Sequence, residues 1–196
     1  EHLSKKLTIM SIFASVLVVF IHAYNLVEYN VTSGACYWIE EFISQFLARV
    51  AVPYFFMSSA FFLYRKERCK VIPLYKSKFK STVIPYFFWN IIYMIAFIIL
   101  GALSLTNTGR IDITAKNILG GIFLYKYNYT FWFMYELILL LVLYPIIVRI
   151  LDKKALALII ICIAFFIYMF FGNISYLGDY RLFSLDTLVY YLSGAF

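Results

Sequence analysis

The sequence predicts an all-α fold, a polytopic transmembrane helical bundle, from three observations. Residues of the class AVILMFWYC form 64% of the 196, against about 45–50% apolar residues in soluble domains, and mean hydropathy is +0.87. The apolar residues gather in blocks near the ~20 residues that cross a bilayer. Lys and Arg, finally, are concentrated in alternate connections between the blocks. A water-soluble fold of this length could not bury so much apolar surface.

The expected spans are 7–27, 42–64, 82–103, 131–151 and 155–171, with the start of a sixth from 185. The last block is too short to cross and the chain opens at Glu1, so one integral membrane domain, 1–196, incomplete at its carboxyl end, is expected. The first block follows Lys5 and Lys6 like a signal peptide, but His22 and Asn25 stand where a small-residue cleavage site would fall. It is read as a retained helix. With the amino terminus inside, 12 of the 17 basic residues lie on the cytoplasmic side, seven of them in the segment 65–80. The positive-inside rule favours that orientation. The net charge of +7 is then mostly a topology signal, and the expected partner of the 65–80 loop is the lipid bilayer's anionic headgroups. Nucleic acid is not expected, because the basic residues are split among short loops.

The outer segment 104–130 carries its own helix signal. Asp112 is placed to cap a run whose apolar residues Ile113, Ile118, Leu119, Ile122 and Phe123 share one face; the helix is expected on the outer membrane surface. Tyr125, Tyr127, Tyr129, Phe131 and Trp132 follow as an interfacial aromatic belt. Pro53 and Pro85 each remove a backbone donor within a span and are possible kinks. Cys36, Cys69 and Cys162 fall outside, inside and within a span, so neither a disulfide framework nor a metal pattern is expected. The sequons at Asn30, Asn128 and Asn173 are read as chance matches to a short motif.

Ionisable side chains in hydrocarbon cost at least ~2.5–3.5 kcal/mol near its centre, so they normally face the protein interior with a partner. His22, Arg49 and Glu136 are the three candidates. Counted along the expected spans at ~1.5 Å per residue, all three come roughly 7–11 Å below the outer boundary, which points to a shared site. His22 is a candidate general base, its plain alternative a neutral imidazole bonded to a neighbouring helix. Arg49 cannot deprotonate and sits too deep to snorkel; an ion pair with Glu136 is its structural alternative. Ser58, Ser59 and Asn90 read first as helix-packing residues.

The apolar first helix ending in Val-Val-Phe-Ile-His-Ala (18–23), with Arg-Val-Ala-Val-Pro-Tyr-Phe-Phe-Met-Ser-Ser-Ala-Phe-Phe-Leu (49–63), resembles the acyltransferase family 3 membrane proteins. Ile-Pro-Tyr-Phe-Phe-Trp (84–89), Phe-Trp-Phe (131–133), Tyr144-Pro145 and Leu-Ser-Gly-Ala-Phe (192–196) follow in family order. The resemblance implies about ten transmembrane helices, and transfer of an acyl group from cytoplasmic acetyl-CoA or another acyl-CoA to a hydroxyl of a glycan or lipid-linked saccharide acceptor. It implies His22 as catalytic residue and carries the motif arginine onto Arg49. The expected catalytic set is His22, Arg49 and Glu136, with Trp132, Asn25 and Ser59 as substrate contacts and no metal. Two positions depart from the family pattern: Ser11 stands where many members have arginine, and Ala60 where glycine is usual. The competing expectation from another class is a glycan exporter or flippase that binds the sugar without chemistry; a membrane sensor or assembly partner is a third.

Overall fold

A computed structural model describes residues 2–22, 33–65, 71–103, 114–171, 176–177, 180–181 and 184–196. The described elements are helical except for a two-residue antiparallel pair, β1 (Tyr176–Leu177) and β2 (Tyr180–Arg181). Among the described residues, three helices are long and apolar enough to cross a membrane, or four if one bent pair is a single span. The chain falls into two compact units, Glu1–Arg65 with Tyr190–Phe196, and Lys66–Val189.

In the first unit, α1 (His2–His22) packs against a continuous helix running from Ala35 to Arg65. That helix comprises α2 (Ala35–Glu41), a π turn (Phe42–Leu47), a 3-10 turn (Ala48–Val50) and α3 (Ala51–Arg65). It starts seven residues before the expected span, directly after Gly34, whose φ of 105° favours glycine. Pro53 produces no sharp break. The adjustment is absorbed upstream in the π and 3-10 turns, since Pro53 can donate nothing to the Arg49 carbonyl.

The register of this pair is set by hydroxyls. Tyr54 Oη donates to the Leu7 carbonyl at 3.0 Å, Ser11 Oγ donates to the same carbonyl at 2.8 Å, and the two hydroxyls lie 3.0 Å apart. Two protons serve three contacts, so the hydroxyls share them. Ser11, at the position where the family pattern has arginine, thus helps fasten α1 to α3. Buried Ala14, Ala48, Ala51 and Ala60 let the backbones approach. Gly194, near the end of α10 (Leu185–Ala195), lies so close to α3 that a Cβ there would overlap the Met57 backbone.

The second unit begins with another long helix, from Val71 to Ala102. It contains α4 (Val71–Lys78), a π turn (Phe79–Val83) and α5 (Ile84–Ala102). Most of the expected 65–80 loop is therefore helix. Lys is a good helix former, Pro73 sits in the first turn where its missing donor costs nothing, and 32 residues exceed the ~20 of a span, leaving the basic turns outside. The π turn ends just before Pro85 and accommodates its ring without a kink.

The kink is elsewhere. After a 3-10 turn (Tyr129–Phe131), α7 (Trp132–Val142) and α8 (Tyr144–Leu151) meet at 65°. Pro145 lies in the first turn of α8, where it cannot bond the Leu141 carbonyl. Tyr75 Oη donates to the Val142 carbonyl at 3.1 Å, supplying a donor at the break. The expected span 155–171 is α9 (Lys154–Phe171), whose apolar stretch belongs with the shorter helices.

The outer helix is present as α6 (Ala115–Phe123), and its cap corrects the expectation: Thr114, not Asp112, accepts the Asn117 amide at 3.3 Å. Asp112 lies outside the described residues, three positions before the first helical one, whereas a cap must directly precede it. Gly120 and Gly121 are buried while Leu119 and Phe123 are exposed, so glycines make the close approach of α6 to α5. A Cβ on Gly121 would come within 2.6 Å of the Tyr127 ring and 2.9 Å of Met94 Sδ. Tyr86 Oη donates to the Phe123 carbonyl at 2.9 Å and Asn90 Nδ2 to that of Ile122 at 3.5 Å. Spaced four apart on α5, they satisfy the carbonyls that end α6.

Candidate functional site

His22 is the last residue of α1 and is exposed. Arg49 is also exposed, in the 3-10 turn, and both its Nε (3.0 Å) and its Nη2 donate to Gln45 Oε1, one helical turn back. Both belong to the first unit. The Tyr54 bonds to the Leu7 and Ser11 region set the antiparallel register: Arg49 comes level with about Ala14, and His22 with about Glu41. Eight residues, roughly 12 Å of helix rise, then separate the two along the pair. The common depth expected for them is thereby corrected, because helix begins at Ala35 and puts Arg49 near the middle of a 30-residue stretch.

Glu136 belongs to the second unit and is fully buried on α7. Its two carboxylate oxygens accept one hydroxyl each: Ser184 Oγ donates to Oε1 and Thr187 Oγ1 to Oε2. Both donors are buried at the start of α10, and the Ser184 carbonyl accepts the Leu188 amide at 3.2 Å. Both oxygens of the buried carboxyl group are thereby satisfied away from water. The arrangement makes Glu136 a fastening between α7 and the first turn of α10.

Of the expected substrate contacts, Trp132 opens α7 half-buried, edge-on to Phe133 with ring centroids 6.4 Å apart. Ser59 is half-buried in α3, and Asn25 lies outside the described residues. The aromatic belt is partly a core. Tyr125 is buried, with ring centroids 6.5 Å from Tyr129 and 5.4 Å from Tyr135, and Phe131 packs on Tyr86 and Tyr93. Tyr125 adopts φ 48°, a left-handed conformation costing a bulky residue roughly 1–2 kcal/mol, so its ring is held there by packing. Asn128 is buried and accepts from Thr130 Oγ1 at 2.6 Å; Asn30 and Asn173 lie outside the described residues. Among the described residues no cluster of three His, Cys, Asp or Glu could hold a metal ion.

A family model described as an acyltransferase domain, that of acyltransferase family 3, matches residues 5–196. The chain belongs to acyltransferase family 3. No curated protein and no solved structure matches it. Family membership makes the chain an acyltransferase, and its long apolar helices make it an integral membrane one. In this acyltransferase, sequence reasoning singled out His22, Arg49 and Glu136 but missed their neighbours. Gln45 was legible, four residues before Arg49. Ser184 and Thr187 carried a weaker signal, hydroxyls three apart opening an apolar helix.

Proposed function

We propose that this acyltransferase moves an acyl group, acetyl in the first instance, from cytoplasmic acyl-CoA to a hydroxyl of a cell-surface or envelope glycan at the plasma membrane. The observation that carries the reading is the family match over nearly the whole chain, with His22 closing the first apolar helix in the motif Val-Val-Phe-Ile-His. Five spans and the start of a sixth, with the amino terminus inside, is the topology that goes with it. His22 takes the proton of the acceptor hydroxyl, and the oxygen attacks the thioester carbonyl of the donor. The tetrahedral oxyanion collapses, the carbon–sulfur bond breaks, and the coenzyme thiolate recovers the proton from the imidazolium. The ~12 Å offset between His22 and Arg49 supports a role for Arg49 in orienting the donor, whose phosphates suit a guanidinium fork, over a role at the oxyanion itself. The two hydroxyls on Glu136 support a fastening role for that carboxylate over charge balance at the reacting atoms. Trp132, Asn25 and Ser59 are proposed to contact the saccharide and donor.

The test uses the full-length protein and the mass of the surface glycan. His22→Ala should abolish acetyl incorporation with normal protein abundance in the membrane, and Arg49→Lys should fail too, since an ammonium cannot reproduce a planar fork. Full incorporation in well-expressed His22→Ala would remove the proposed base. An exporter would move glycan without any acetyl-sized mass difference.

A further inference from the structure

The corner between α8 and α9 combines features that the acyl-transfer reading does not use. Helix α8 is amphipathic: Tyr144 and Ile147 are buried, while Ile146, Arg149 and Ile150 lie on another face. Spacings of three and four continue that face to Lys153 in the turn. Together with Asp152 and Leu156 these residues line a shallow, open cleft. The 65° bend turns α8 away from α7, and α9 opens on Lys154 before its apolar run. A charged corner between apolar helices belongs at a membrane face, whichever side that is.

We infer that this corner is a binding site for an anionic phospholipid, its phosphodiester held by Arg149 and Lys153 and its acyl chains laid against Ile146, Ile150 and Leu156. The charge count favours that occupant. Arg149 and Lys153 in the cleft, with Lys154 beside them and only Asp152 against them, leave a net positive charge that suits an anionic headgroup. The aliphatic wall favours a lipid over any small soluble anion. Positive charge at a membrane face follows from topology alone, but topology does not require the two cations to share a cleft with three aliphatic side chains.

The full-length protein is reconstituted in phosphatidylcholine vesicles containing about one-fifth phosphatidylglycerol, extracted, and its retained phosphatidylglycerol counted by native mass spectrometry. Each basic residue near a membrane surface contributes roughly fivefold in affinity, so Arg149→Gln with Lys153→Gln should weaken retention about 25-fold. Ile150→Trp, which fills the cleft and leaves every charge in place, should lower retention as well. It carries the test alone if the double variant does not fold. Unchanged retention in a folded variant overturns the site. Displacement of the lipid by millimolar inorganic phosphate would reassign it to a soluble anion, and displacement by acyl-CoA to the donor. None of these outcomes depends on whether the protein transfers acetyl groups.

Discussion

At the scale of single residues, Glu136 shows how burial and bonding decide a role. Its carboxyl group is buried against Ser184 and Thr187, and leaving such a buried polar group unsatisfied costs about 1–3 kcal/mol. Ser184→Ala with Thr187→Val should therefore lower the thermal unfolding midpoint in detergent far more than either change alone. Glu136→Gln, which keeps an acceptor and can donate to a hydroxyl, should cost less than Glu136→Leu. A Glu136→Leu protein as stable as the parent would show that the fastening contributes nothing. The carboxylate was legible in the sequence as a charge inside an apolar run. Its partners, 48 and 51 residues away, were not, because periodicity reports a helix's own faces and not which helix will face it. His22 and Arg49 were likewise legible as polar intrusions. Their relative depth was not, since it depends on the register that Tyr54 sets against Leu7 and Ser11, a pairing of residues 43 or more positions apart.

At the scale of elements, three of the four prolines, Pro53, Pro85 and Pro145, behave differently for reasons of position. Pro53 and Pro85 each lie a few residues after a π or 3-10 turn that rearranges the hydrogen bonds, whereas Pro145 follows regular helix and produces the 65° break. Pro145→Ala restores the donor to the Leu141 carbonyl and should straighten the pair, seen as a longer distance between spin labels placed on α7 and α8. An unchanged distance would assign the bend to packing. The seat of α6 makes a second case. Gly121→Val would drive its side chain into Tyr127 and Met94, an overpacking worth about 1–3 kcal/mol. Amide exchange through α6 should accelerate in this variant and stay unchanged in Leu119→Ala, which alters an exposed position. Apolar runs located the long helices well. They named the apolar face of α6 but not the glycines that seat it, because a hydrophobic stripe cannot reveal where two glycines make the closer contact.

At the scale of the whole molecule, the distribution of Lys and Arg predicts an inside amino terminus. An impermeant maleimide applied to intact cells should then label Cys36, which is exposed, and leave Cys69 unlabelled; the reverse pattern would invert the topology. The contact of Gly194 with the Met57 backbone has a consequence for biogenesis. Its two sides are 137 positions apart in the sequence, and ribosomes extend a chain at about 5–20 residues per second. Roughly 7–27 s therefore pass between synthesis of the α3 surface and arrival of the glycine that covers it. During that interval the membrane must hold α1 and α3 with their docking face open, so insertion machinery or lipid occupies it first. Slowing translation between codons 66 and 189 should then lower the yield of correctly assembled protein without altering its sequence, whereas an unchanged yield would mean that the early helices wait unharmed.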